Sequence, residues 1–231
     1  MTNYTKMTLL GAALAAFLLP GVAQNSSAPT PSSTPPVSST PTPSGAAPTN
    51  NTTPSGQTKP ETIQQHKENQ QKRIANGIGD GQLSSDEASS LEKKESQINK
   101  EEKAMKAEDN GHLTNADKTA LRQQQSQVSK QIYDDKHNDN TQNTHPKTEI
   151  GQRREEQRQR IAQGVQSGEL TPSQASHIEG QEGSLNQEIK NDRAANGGKL
   201  TSAEKTQINN QQNHLSKEIH KDKVKTGNKK K

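Results

Sequence analysis

Residues 73–89, RIANGIGDGQLSSDEAS, are met again 87 positions later as RIAQGVQSGELTPSQAS at residues 160–176. Extended outward from that match, Ile63–His137 aligns with Ile150–Val224, and about 30 of 75 positions are identical. The chain is therefore built from two long copies of one unit. Each copy holds a shorter repeat, Gly-x-Leu-Ser/Thr, whose leucines are Leu83, Leu113, Leu170 and Leu200. Each hydroxyl residue precedes an acid or amide by three positions: Ser84/Glu87, Thr114/Asp117, Thr171/Gln174 and Thr201/Glu204. That spacing is a capping box, in which the hydroxyl satisfies a free helix N–H and the acid or amide reaches back to the cap. Pro172 sits at the first helical position, where its missing N–H costs nothing. Gly77 and Gly164 fall where a preceding helix would need a left-handed residue to end. Leu83 with Ala88, and Leu170 with Ala175, can staple the entering chain to the helix.

Each capped helix carries a single narrow apolar seam. The seams are Leu91/Ile98/Met105, Leu121/Val128/Ile132, Ile178/Leu185/Ile189 and Ile208/Leu215/Ile219. Steps of seven, or seven then four, match a coiled-coil seam rather than a broad core face. A weaker opening helix precedes each pair, at about 62–77 and 149–164, with Ile63 and Ile74 or Ile150 and Ile161. The expected fold class is all-α: two similar three-helix units, thin and marginally stable alone, firmed by self-association or a partner. The expected boundaries are 61–137 and 149–224, with a polar linker at 138–148 and a basic tail at 225–231.

Composition agrees with a thin core. Apolar residues are 23% of the chain, against about 45–50% in ordinary globular proteins. The only aromatic residues are Tyr4, Phe17 and Tyr133, and there is no cysteine or tryptophan. A disulfide scaffold, a thiolate metal site and a cysteine nucleophile are excluded. Sandwich, Rossmann and barrel folds need runs of β-branched and aromatic residues that this chain lacks.

Residues 1–23 read as a signal peptide. Lys6 gives the positive start, Met7–Leu19 the apolar stretch, and Gly21-Val22-Ala23 the small residues of a cleavage site. No cysteine follows to take a lipid anchor. Residues 24–60 are nearly all Ser, Thr, Pro, Ala, Asn and Gly. Such a segment buries too little surface to offset its ordering entropy, so it is expected to be a disordered spacer. Asn25 and Asn51 head Asn-x-Ser/Thr triplets, a pattern that chance supplies in so biased a segment. The protein is expected to be exported, to the periplasm or beyond.

Asn76, Asp80, Gly81, Leu83, Ser84 and Glu87 partly resemble an EF-hand loop. However, the first loop position is Asn76, Lys106, Gln163 or Arg193, never Asp. Calcium needs several oxygen ligands, and the capping box already accounts for Ser84 and Glu87. The seven histidines, His66, His112, His137, His145, His177, His214 and His220, show no zinc-helix spacing and read as solvated. No catalytic, cofactor-binding or metal residue is assigned. Acids abound on what reads as polar helix surface, without a pocket to shift a pKa, so an enzyme is not expected.

LTPSQ at 170–174 is similar to the Leu-Thr-x-x-Gln signature of periplasmic stress chaperones, with variants LTNAD at 113–117 and LTSAE at 200–204. The longer pattern, from RIAQG through DRAANGGKLT, resembles a group of uncharacterised exported bacterial proteins with a helical repeat, over about 160 residues. The first resemblance implies a small helical exported protein that holds unfolded clients; the second implies no activity.

Net charge is +4. Arg153, Arg154, Arg158 and Arg160 cluster on one opening helix, and the C-terminus ends in lysines. These suggest docking to an anionic envelope surface. Specific nucleic-acid recognition is not expected, since aromatic side chains to stack on bases are almost absent. The reading is a non-enzymatic exported envelope protein that binds or spaces, with a holdase-like chaperone and a calcium-responsive module as alternatives.

Overall fold

The computed structural model describes residues 61–228. The expected signal peptide, the Ser/Thr/Pro-rich segment through residue 60 and the last three lysines lie outside the described residues. Six α-helices follow in order: α1 (Ile63–Gly79), α2 (Ser85–Glu108), α3 (Asn115–Lys136), α4 (Glu149–Ser167), α5 (Pro172–Ala195) and α6 (Ser202–Gly227). No strand occurs among the described residues, so the fold class is all-α. The last helix runs on into the first residues of the expected basic tail.

All four predicted start signals close as capping boxes, at Ser84, Thr114, Thr171 and Thr201. The box also closes where aspartate, a shorter acid, replaces glutamate or glutamine: Thr114 N donates to Asp117 Oδ2 at 2.8 Å. A fifth box forms at Thr62/Gln65. At α4, Thr148 caps alone, because the reciprocal position is Gly151.

The glycines divide the work differently from the expectation. Gly77 and Gly164 do not end their helices in a left-handed conformation; both lie inside α1 and α4. The left-handed turns are at Gly81 (φ 68°) and Gly168 (φ 67°). What Gly77 provides is room: a Cβ there would stand 2.7 Å from Leu83 Cγ, and one at Gly164 would stand 2.7 Å from Leu170 Cγ. The turn leucines lodge in these notches and are fully buried. Leu83 N then donates to Gly77 O at 3.0 Å, and Leu170 N to Gly164 O at 2.8 Å. At the ends of α2 and α5 the positive-φ residues are Asn110 with Gly111 and Gly197 with Gly198, and Gly111 N donates to Lys106 O and Gly198 N to Arg193 O, each at 2.7 Å.

Every predicted seam residue is buried except Met105, which packs at the core edge. The seams do not close within isolated thin units. The largest helix–helix contacts join the halves, α2 with α5 and α1 with α4. One core cluster therefore draws Ile74, Ile78 and Leu91 from the first half and Ile161, Val165 and Ile178 from the second. Helix α3 covers α1 and α2, and α6 covers α4 and α5. A smaller cluster of Ile150, Leu185, Ile189 and Ile208 belongs to the second half alone. The low apolar content is thus concentrated where two halves share one core, which removes more apolar surface from water than two separate bundles would.

Buried amides tie the outer helices down. Gln70 Nε2 donates to Gln125 O at 2.6 Å, and Gln125 Nε2 donates to Ile63 O at 2.9 Å. The same pair recurs 87 residues on: Gln157 to Gln212 O at 2.8 Å, and Gln212 to Ile150 O at 2.9 Å.

Candidate functional site

Helices α2 and α5 meet at matching residues of the two copies. Ser89 Oγ donates to Ser176 O at 2.8 Å, and Ser176 Oγ donates to Ser89 O at 2.9 Å. The halves are therefore related by a local twofold through this contact. Small residues allow the approach: a Cβ on Gly180 would touch Ser89 Oγ, and one on Gly183 would run into Asp86. Since Asp86 meets Gly183 while Ser89 meets Ser176, the two helices run in opposite directions.

One and two turns beyond each serine stand Glu92 and Glu95, and Glu179 and Glu182. All four are no more than 4% exposed. Glu92 Oε2 accepts a hydrogen bond from Gln71 Nε2 at 3.1 Å. Glu92 Oε1, both oxygens of Glu95, and Oε1 of Glu179 and Glu182 have no hydrogen-bond partner. Burial pushes the Glu92 carboxyl up to about 8, with added repulsion from Glu95 and Glu179 against the Gln71 bond. Burial raises Glu95 to about 7 against the attraction of Lys67. Glu179 rises to about 8 through burial and the nearby Glu182, with Ser85 and Arg158 opposing. Glu182 rises to about 7 by burial, against Arg154 and Arg158. The cause throughout is loss of water around a charge that lacks a close counter-ion.

The expectation that the acids all lie on polar helix surface is thus wrong at these four positions. An α-helix with one seam residue per two turns still has neighbouring positions facing the same interface. Glu92, next to Leu91, and Glu95, one turn on, are covered once α5 packs there.

A cavity of about 260 Å³ opens between α4, α5 and the polar linker. Arg154, Arg158, Arg193, Glu179 and Glu182 line it, together with Ile150, Ile161 and Ile189. The linker is held in place: Gln142 N donates to Gly81 O at 2.8 Å, and Gln142 Nε2 to Leu83 O at 2.9 Å. Asn138 and Asn140 both donate to Glu87 Oε1. Arg158 is 6% exposed and pairs with Glu155. Burial, together with Arg158 and Arg193, holds the Arg154 guanidinium below its ordinary value against the pull of Glu182.

The four-arginine cluster does not make one exposed basic patch. Arg154 and Arg158 turn into the cavity, Arg153 reaches Asn209 and Asn213 on α6, and Arg160 donates to Ser216 O at 3.0 Å. The positions fall on several sides of α4, and the inward ones are held by the packing of α5 and α6.

None of the seven histidines is buried. His177 Nε2 lies 3.2 Å from Glu218, and His137 stacks on Tyr133. In the loop resembling an EF-hand, Glu87 is occupied by the cap of Ser84 and by the two linker asparagines. Among the described residues no group of three or more His, Asp or Glu is placed to hold a metal ion. No described helix is long and apolar enough to cross a membrane.

The fold and junction define a class of architecture: a duplicated three-helix unit closed on itself about a local twofold. The chain matches no protein-family model, no curated protein and no solved structure.

Proposed function

We propose that the chain is a non-enzymatic, exported cell-envelope protein, in which a Ser/Thr/Pro-rich arm carries a closed helical module used for binding or spacing. The observation that carries this reading is the closure of the helical part. Its seams are spent on an internal core, and its outer faces are Gln, Asn, Lys and Glu on well-capped helices. A polar helical body joined to a Ser/Thr/Pro-rich segment suits presentation away from a surface. The holdase alternative needs the seams bare, and in the folded state they are covered. No nucleophile motif accompanies the acids beside the cavity. The resemblance to exported helical-repeat proteins supports the location.

The test is to express the full chain in a bacterium, fractionate the cells and determine the N-terminus of the recovered protein. A chain beginning at Gln24 outside the cytoplasm is expected; an unprocessed cytoplasmic chain overturns the reading. Near-stoichiometric suppression of a client's aggregation would replace spacing by the holdase function.

A further inference from the structure

The two halves can be compared position by position across the offset of 87. In the first half Glu102 stands between two lysines. Lys67 Nζ donates to Glu102 Oε2 at 2.6 Å, and Lys106 Nζ donates to Oε1 at 2.6 Å. The carboxylate is only 10% exposed. Burial would raise its pKa, yet the two ammonium groups outweigh burial and hold it below the ordinary range. This is a complete site: two cations, one from the opening helix and one from the end of the next, closed on an internal carboxylate.

In the second half the corresponding residues are Arg154, Ile189 and Arg193. Both cations are kept and the carboxylate is gone. Its place adjoins the cavity of about 260 Å³, which Arg154, Arg193 and Ile189 all line. Among the described residues no carboxylate lies within 4 Å of Arg154 or Arg193; Glu182 attracts Arg154 only from beyond that distance, and Arg154 Nη2 donates to Gln142 Oε1 at 3.4 Å. The Nε atoms of Arg154 and of the buried Arg158 have no acceptor. Replacing lysine with arginine also exchanges a point charge for a planar fork that binds a carboxylate through two parallel bonds.

We propose that this cavity binds a small organic carboxylate from solution. Its carboxylate group takes the position between Arg154 and Arg193 that Glu102 holds between Lys67 and Lys106. Its short aliphatic end rests on the uncovered edges of Ile150 and Ile189. The space suffices for a short-chain acid: the cavity is about 260 Å³, and Arg154, Ile189 and Arg193 also line an adjoining cavity of about 630 Å³. Inorganic phosphate satisfies the guanidinium groups but leaves the isoleucine floor bare. The inference does not depend on where the protein is located.

The test is calorimetric titration and thermal unfolding of the full chain with acetate, butyrate, succinate and inorganic phosphate. Butyrate is expected to bind more tightly than acetate or phosphate and to raise the melting temperature. Arg193→Ala should weaken butyrate binding at least tenfold. Ile189→Glu restores the residue found in the first half, so it should raise the melting temperature without ligand and abolish binding. The proposal is overturned if no organic acid binds at millimolar concentration, if binding survives Ile189→Glu, or if phosphate binds as tightly as butyrate.

Discussion

Raising the pH from 5 to 7 is expected to weaken the fold, and Glu179→Gln should remove a defined share of that loss. Glu179 ionises near 4.5 in an open chain and near 8 in the folded protein. Between those values the folded state holds a proton that the unfolded state has released, so stability falls as pH rises. The effect is absent below 4.5, accumulates through the window and levels off above about 8. Each pH unit inside the window costs about 1.4 kcal/mol for one such group. Two units therefore amount to about 2–3 kcal/mol, or a shift of about 5–10 °C in melting temperature for a domain of this size. Facing Glu179 are Glu182, Glu92, Arg158, Asp86 and Ser85, which the variant leaves in place. The assay is urea unfolding followed by circular dichroism, on the parent and on Glu179→Gln, at pH 5, 6, 7 and 8. The stability difference between the two proteins should grow steadily in favour of the variant up to pH 7. A constant difference across the series would mean that Glu179 is ionised in the fold and that the junction is wetter than its geometry implies.

Three further outcomes are expected. Gly77→Ala should lower stability by about 1–3 kcal/mol through overpacking against Leu83, measured by denaturant unfolding, although helix propensity alone would favour alanine by about 1 kcal/mol. Ser84→Ala should cost about 1 kcal/mol by opening the capping box, seen as a lower urea midpoint with an unchanged slope. Ser89→Ala and Ser176→Ala should each cost about 0.5–1.5 kcal/mol, since each removes one hydroxyl donor to the other residue's backbone carbonyl; unchanged urea midpoints in both variants would contradict the reciprocal contact.

What could be read from the sequence was what is encoded locally. A capping box lies within four consecutive residues, so the starts of α2, α3, α5 and α6 were legible at Ser84, Thr114, Thr171 and Thr201 despite the sparse apolar content. The seam residues were legible because their spacing survives in every helix. The junction was not, because a serine facing a backbone carbonyl and a serine facing water look alike in sequence. The polar core was hidden for a similar reason: Gln70, Gln125, Glu92 and Glu95 carry residue types that usually mark a surface. The signal that could have found them is their identity at the matching positions Gln157, Gln212, Glu179 and Glu182. The glycine roles were misread because a notch for Leu83 depends on a chain reversal that spacing alone does not specify. The cavity required seeing which positions differ together, Lys67, Glu102 and Lys106 against Arg154, Ile189 and Arg193.

The Ser89–Ser176 contact has a consequence for how this molecule can change. Each half meets the other through the same patch, which is the geometry of an isologous homodimer written into a single polypeptide. In a true homodimer every substitution appears twice, so no alteration can be confined to one subunit. Fusing the subunits end to end lifts that constraint. A single gene carrying both copies can retain an internal counter-ion on one side and vacate its equivalent on the other, turning symmetric architecture into asymmetric chemistry.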